Sequence, residues 1–596
     1  MPSKIMRYEG FLALLISIQI LKGVAPNLIE TRDGKILGVS DQWVTSFLGI
    51  RYAQSPVRAR RLAPPVPVAP WNGTLRAEEY GAACLQAPDS SVHKYLNNVR
   101  SSEDCLNLNI FIPRDSPGKN IPVLIFIHPG QFQCGAAAMV NGSFLAMETQ
   151  AIVVTFNYRL GVLGFAYSTS LLSGNYGIQD QILAVKWVRR NIASFGGDED
   201  NIAILADSSN ARILRYIPKL YKTFSKIVSL PLDIPYSFPT NPTSGIAEST
   251  LESVCNGTIS RECFDGIKPE QLLNLTLNHF PWSLPIFGPI NDGEIWDKRS
   301  DIHNNAEQVH LNVVAPSYIY RKTSVVIQGK HYQCTPKILK NVIHMVSTMT
   351  SSNVSVLLET FYFPDDVTAN SICSEVLRLL YDYASISSMF DLDRASRSAL
   401  VFLALLEPYY VLQGGTSDSL CLFRGRGEGC DSDATASLVL TAVQSFLKDS
   451  YPGSDDELRW RPYTVHSKSH VIFNGYKTSA GDRRRWPLVQ QEMLWHDLAP
   501  AFKGGGLEAG IHEIICPATR TEWGMTETQL EILLYSLVFC CLFLIFVSMT
   551  LVRILCTVNK PAKKETRTRG AQRTAASSEG GHYNGACNGE IEDSKF

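Results

Sequence analysis

The chain has 596 residues, of which 45% are hydrophobic and 19% charged, and its formal net charge is −1. Such composition suits a large globular unit with added apolar segments. A near-neutral charge excludes the basic field that nucleic-acid binding requires.

Residues 1–25 read as a secretory signal. Lys4 and Arg7 precede an apolar run from Phe11 to Leu21 that is too short to span a bilayer, and Gly23 and Ala25 offer small residues for cleavage. Residues 26–503 form the expected extracellular domain. Within it, Val123–Ile127, Ala151–Phe156, Ile202–Leu205 and Ser324–Gln328 are continuous apolar runs of the kind found in parallel strands buried on both faces. Gln179 to Ile192 has helical spacing, with Ile182, Leu183, Val185, Trp187 and Val188 on its apolar side. Strands alternating with helices predict a doubly wound α/β architecture.

A stalk is expected over 504–531, opening with Gly504, Gly505 and Gly506. Residues 532–552 carry no charge and reach roughly 30 Å as a helix, the thickness of a hydrocarbon core. Arg553, Lys560, Lys563, Lys564, Arg567, Arg569 and Arg573 follow, opposed by Glu565 alone, so the C-terminus is expected in the cytoplasm. The tail, 553–596, is polar and expected to be disordered. Ten of the fourteen cysteines lie between signal and span, as do sequons at Asn72, Asn141, Asn256, Asn274 and Asn353. Both suit an oxidised, glycosylated ectodomain.

Several stretches carry a resemblance to the carboxylesterase/cholinesterase family: FLGIRYAQSP from Phe47, SEDCLNLNIFIP from Ser102, NYRLGVLGF from Asn157, and GNYGIQDQILAVKWVRRNIASFGGD from Gly174. GPINDGE from Gly288, RWRPYT from Arg459 and MLWHDLAPAF from Met493 continue it in order. The resemblance implies an α/β-hydrolase fold with a large, mostly parallel central sheet. It also implies disulfides Cys84–Cys105 and Cys255–Cys263, leaving the pairing of Cys134, Cys334, Cys373, Cys421, Cys430 and Cys516 open.

Ester hydrolysis on this fold needs a serine, a histidine base, an acid and an oxyanion hole. The serine motif reads Ala206-Asp207-Ser208-Ser209-Asn210, which puts Ser208 at the nucleophile position. The oxyanion loop reads His128-Pro129-Gly130-Gln131-Phe132, where Pro129 has no amide hydrogen and Gln131 replaces a glycine. With Gly329 as the glycine preceding the acid, Cys334 takes the acid position, and no Asp or Glu occurs from 308 to 358. No histidine occurs from 345 to 465, ahead of the RWRPYT landmark; His466, His470, His496 and His512 come later. These departures lead to the expectation that the chain is not an enzyme and uses no cofactor or metal.

Signal, span and tail together resemble the adhesion branch of the family, that of neuroligin and gliotactin. This implies a cell-surface receptor for adhesion or for organising a junction or synapse, with a neurexin-like or other surface protein as ligand. Homodimers are expected through Pro487–Leu498 packing on Val376–Ile386. Ser594-Lys595-Phe596 suits a cytoplasmic PDZ scaffold, which captures a terminal carboxylate with an apolar last residue. The alternatives are a membrane-anchored serine esterase with a rearranged site, and a non-adhesive binding or trafficking partner of another membrane protein.

Overall fold

A computed structural model describes residues 27–86, 99–215, 223–230, 244–277, 287–295, 308–314, 324–327, 330–333, 399–406, 433–453, 460–474 and 477–481, with positions 217, 220, 340, 343, 358, 379, 395 and 396 besides. The chain divides into two compact units, Met1–Pro517 and Ala518–Phe596, and the second lies outside the described residues.

An eleven-stranded sheet organises the first unit. In chain order its strands are β1 (Val39–Ser40), β2 (Val44–Arg51), β3 (Asn107–Pro113), β4 (Ile121–Ile127), β5 (Ile152–Phe156) and β6 (Gly197–Asp207). There follow β7 (Lys226–Leu230), β8 (Val309–Val314), β9 (Leu400–Leu406), β10 (His470–Asn474) and β11 (Lys477–Gly481). Across the sheet the order is β11-β10-β9-β8-β7-β6-β4-β5-β3-β2-β1. The pairings from β10 to β5 are parallel, and those at both margins are antiparallel. This large mixed sheet is consistent with an α/β hydrolase.

The strand period of two divides the interior into two cores. On β4, Val123, Ile125 and Ile127 enter one apolar cluster and Leu124 and Phe126 the other. The first is covered by helices α2 (Tyr176–Asn191) and α3 (Ser208–Leu214), the second by α1 (Gly142–Thr149) and α4 (Asp433–Asp449). Helix α2 presents Ile178, Ile182, Val185, Trp187 and Val188 to the first core, all fully or nearly buried. A short 3₁₀ turn then ends at Gly196, whose φ of 86° is left-handed and whose Cβ, if present, would lie 2.7 Å from the Gly118 carbonyl oxygen. Only glycine turns the chain there into β6.

One predicted strand is misplaced. Ser324–Ile327 pairs antiparallel with Lys330–Gln333 in a separate two-stranded hairpin, and the parallel strand beside β7 is β8, Val309–Val314. Its apolar run resembles that of a buried strand, whereas β8 alternates polar and apolar residues. Cys334, at the expected acid position, lies outside the described residues.

The bridges Cys84–Cys105 and Cys255–Cys263 are both formed. Arg61 ties their neighbourhoods together: its guanidinium forks onto Glu103 at 2.5 and 2.7 Å and donates to the carbonyls of Phe264 and Ile267. Asn72, Asn141, Asn256 and Asn274 are exposed, and Asn353 lies outside the described residues. Among the described residues no helix is long and apolar enough to cross a membrane; 532–552, the expected dimer segments apart from Leu379, and the C-terminal Ser594-Lys595-Phe596 fall outside them.

Candidate active site

The C-terminal ends of the parallel strands bring two sequence-predicted elements together. Ile127 of β4 is in register with Ala206 of β6, so the 128–135 loop and Ser208 leave adjacent strands at the same level. Crevices at this edge of open α/β sheets are where ligands bind.

Strand β6 ends at Asp207 and α3 starts at Ser208, the strand-to-helix turn that presents a nucleophile. Asp207 is buried, and its Oδ1 accepts from the Asn210 backbone N–H at 3.3 Å and from the Asn210 side-chain amide. Asn210, fully buried, accepts in turn from Gln181 Nε2 of α2 at 3.0 Å. The side chain at the second glycine position of the motif is thus a polar link between the turn and α2.

The neighbouring loop folds on itself. His128 stacks on Tyr158 with ring centroids 4.4 Å apart, its Nδ1 lies 3.0 Å from the Pro129 oxygen, and Tyr158 Oη donates to the His128 carbonyl. Burial pushes the His128 imidazole down to about 4, and the Pro129 contact opposes this. Gly130 accepts from the amides of Gln133 and Cys134, and a Cβ on it would lie 2.0 Å from the Cys134 oxygen. Gln131 and Phe132 follow with φ of 56° and 61°, both buried. Two consecutive non-glycine residues in the left-handed region are strained, and the loop holds them by its bonds to the frame. Gln86, two residues past the first bridge, exchanges bonds of 3.0 Å with both backbone groups of Gly135, and Gln133 donates to the Phe287 carbonyl at 2.7 Å.

Other candidates lie apart. His466 is exposed. His470 starts β10, buried and 2.8 Å from the Lys468 oxygen, and lies four strands from β6, roughly 19 Å at ordinary strand spacing. His496 and His512 fall outside the described residues, as do the segments following Val314 and Leu406. Among the described residues no group of three or more His, Cys, Asp or Glu is placed to hold a metal.

Sequence reasoning missed Gln308, just before β8, and His310 and Asn312 on it, together with Arg215, all buried. The signal was available: polar residues at every second position of an otherwise apolar strand.

Residues 25–313 match the family model described as the carboxylesterase family. The chain is 42% identical to para-nitrobenzyl esterase of Bacillus subtilis (strain 168), over 30% of this chain and 38% of that protein. It is 40% identical to acylcarnitine hydrolase of Mus musculus, over 34% and 39%, and 37% identical to cocaine esterase of Homo sapiens, over 34% and 38%. The chain therefore spans under two fifths of the length of these relatives. Their names overturn the expectation that the chain is not an enzyme: these are hydrolases, and the matched family segment takes in both the 128–135 loop and Ser208. Over residues 25–313, just under half of its length, the chain thus matches the carboxylesterase family.

Proposed function

We propose that the carboxylesterase-family domain is the extracellular part of a single-pass type I plasma-membrane protein, and that it recognises a protein on an apposed surface. This is adhesion or junction organisation of the neuroligin and gliotactin kind, with a neurexin-like or other cell-surface ligand. The observation that carries the reading is the pair of formed bridges, Cys84–Cys105 and Cys255–Cys263, in the domain that the sequence places before the uncharged 532–552 run. Disulfides persist in oxidising compartments. Exposed sequon asparagines support the same side of the membrane. A PDZ scaffold engaging Ser594-Lys595-Phe596 would connect the receptor to the cytoplasm.

The test is aggregation of cells displaying the full chain with cells that lack it, followed by capture of the ligand across the contact. Clustering no greater than for mock-transfected cells would discard adhesion. Co-purification from one and the same membrane would favour a trafficking partner instead.

A second reading is acyl-ester hydrolysis at Ser208 in a rearranged site. The strand-to-helix turn and the names of the relatives favour it. Recognition uses the outer surface and does not compete with chemistry at Ser208. Labelling by a fluorophosphonate that disappears in Ser208→Ala supports this reading; absence of label in the native chain removes it.

A further inference from the structure

Three of the expected sequons place a glycine directly after the asparagine: Asn72-Gly73, Asn141-Gly142 and Asn256-Gly257. This pairing is chemically self-reactive. The backbone nitrogen of the second residue can attack the side-chain carbonyl carbon of the first. Glycine, without a Cβ, neither shields that nitrogen nor resists the backbone rotation that brings the two together. The three pairs differ in what the attack must first break.

At the N-cap of α1, Asn141 Oδ1 accepts from the Phe144 amide at 3.0 Å. Gly142 is buried there, and a Cβ on it would lie 2.2 Å from the Phe111 ring. At the end of the helix Ser244–Val254, the Gly257 N–H donates to the Glu252 carbonyl at 2.8 Å, beside the Cys255–Cys263 bridge. Asn72 and Gly73 have no such restraint. Both are exposed, Gly73 has a left-handed φ of 84°, and a Cβ on it would meet nothing within 4 Å. Neither the Asn72 side chain nor the Gly73 N–H has a hydrogen-bond partner among the described residues. The chain is pinned on either side instead. The Trp71 amide donates to the Asp33 carbonyl at 2.7 Å, and Thr74 opens the strand Thr74–Arg76, paired with Lys35–Leu37.

We propose that Asn72-Gly73 is a self-modification site, at which an Asn72 that carries no glycan converts to aspartate and isoaspartate. The Gly73 nitrogen loses its proton to solvent base and bonds to Asn72 Cγ. The Cγ–Nδ2 bond breaks, and Nδ2 leaves as ammonia after taking a proton from water. Water then opens the resulting cyclic imide. Opening at Cγ gives aspartate; opening at the Asn72 main-chain carbonyl carbon gives isoaspartate and lengthens the backbone between Trp71 and the strand. Either product adds a negative charge and destroys the sequon, and a glycan on Nδ2 occupies the leaving group, so the two modifications compete for one atom. The chemistry needs only water and stands apart from both readings above.

The test uses the full-length chain carrying Thr74→Val, Ser143→Ala and Thr258→Val, which removes the three sequons and keeps all three Asn-Gly pairs. One sample is incubated folded at pH 7.4 and another reduced and unfolded in urea. Peptide mapping that separates aspartate from isoaspartate follows each pair. In urea the three pairs should convert at similar rates. In the folded chain Asn141 and Asn256 should each fall behind Asn72 by about tenfold, the worth of a hydrogen bond that must first break. Conversion at Asn72 no faster than at the other two, or none while the urea sample converts, would overturn the proposal. If the triple variant does not fold, Thr74→Val alone, against its own urea sample, decides by whether folded Asn72 converts.

Discussion

Two polar clusters border the same apolar core and are built on opposite terms. Arg159 and Asp180 form a fork, with Nε and Nη2 each 2.8 Å from a carboxylate oxygen. Arg159 Nη1 reaches the Ala63 carbonyl at 2.7 Å, the Arg159 amide meets Asp180 at 3.1 Å, and the Tyr176 ring lies under the guanidinium. Gln308, just before β8, and His310 and Asn312 on it are equally buried, yet four of their polar atoms lack partners among the described residues. Burying charge is expensive, and the Arg159 cluster recovers the cost through geometry. The contrast separates polar residues whose groups are all met from polar residues for which no described residue supplies every partner.

The sharpest way to break the first side of this comparison is to remove one partner. Arg159→Leu strands the Asp180 carboxylate, which is 0% exposed, and should cost about 3–5 kcal/mol in urea unfolding. The double variant Arg159→Leu, Asp180→Leu should recover most of that loss. A double variant as unstable as the single one would mean that the pair acts through packing instead.

A smaller effect is expected from pH. His128 titrates at about 4 in the folded chain against 6.5 unfolded. Its folded value is depressed, so between these limits the unfolded chain binds the extra proton. The stability that His128 lends to the neutral-pH state is complete above about 6.5 and declines as pH falls toward 4, by roughly 3 kcal/mol at most. His128→Phe keeps a ring against Tyr158 and should flatten that acid limb. An unchanged limb would place the acid sensitivity elsewhere.

On β8 the sign should reverse. His310→Leu removes two ring nitrogens that have no partner among the described residues and should raise stability by about 1–2 kcal/mol, whereas a loss of that size would mean that the imidazole is already satisfied.

The same two clusters explain what was legible in the sequence. Strands β4, β5 and β6 were readable because both faces are apolar, which leaves unbroken runs such as Val123–Ile127. Helix α2 was readable from its 3.6 period, and the structure extends it by a turn to Tyr176. Val325, Val326 and Ile327 mimicked the buried-strand signal, yet their segment pairs in a separate hairpin. Strand β8 hid from the same criterion, because Gln308, His310 and Asn312 gave it the alternation of a half-exposed strand. Its inward face is polar for a reason that periodicity does not carry. In the site, Ser208 and Pro129–Gln131 could be located by motif. The link from Asn210 to Gln181 spans 29 residues and became visible only once α2 was packed against the turn.

The smallest prediction concerns a residue asked to do two things with one side chain. Asn141 stands before α1, and its Oδ1 accepts from the Phe144 backbone N–H at 3.0 Å, satisfying one of the helix's unpaired donors. It is also the acceptor of an expected sequon completed by Ser143, and a glycan would attach through Nδ2, leaving Oδ1 able to cap. Two substitutions separate these roles. Ser143→Ala abolishes the sequon and keeps the cap, so it should remove the glycan mass with little change in unfolding midpoint. Asn141→Ala removes both and should cost about 1 kcal/mol more than Ser143→Ala. Equal stabilities for the two variants would show that the cap contributes nothing beyond the sugar. An unchanged mass in both would show that no glycan is carried there, while leaving the difference in stability to report on the cap alone.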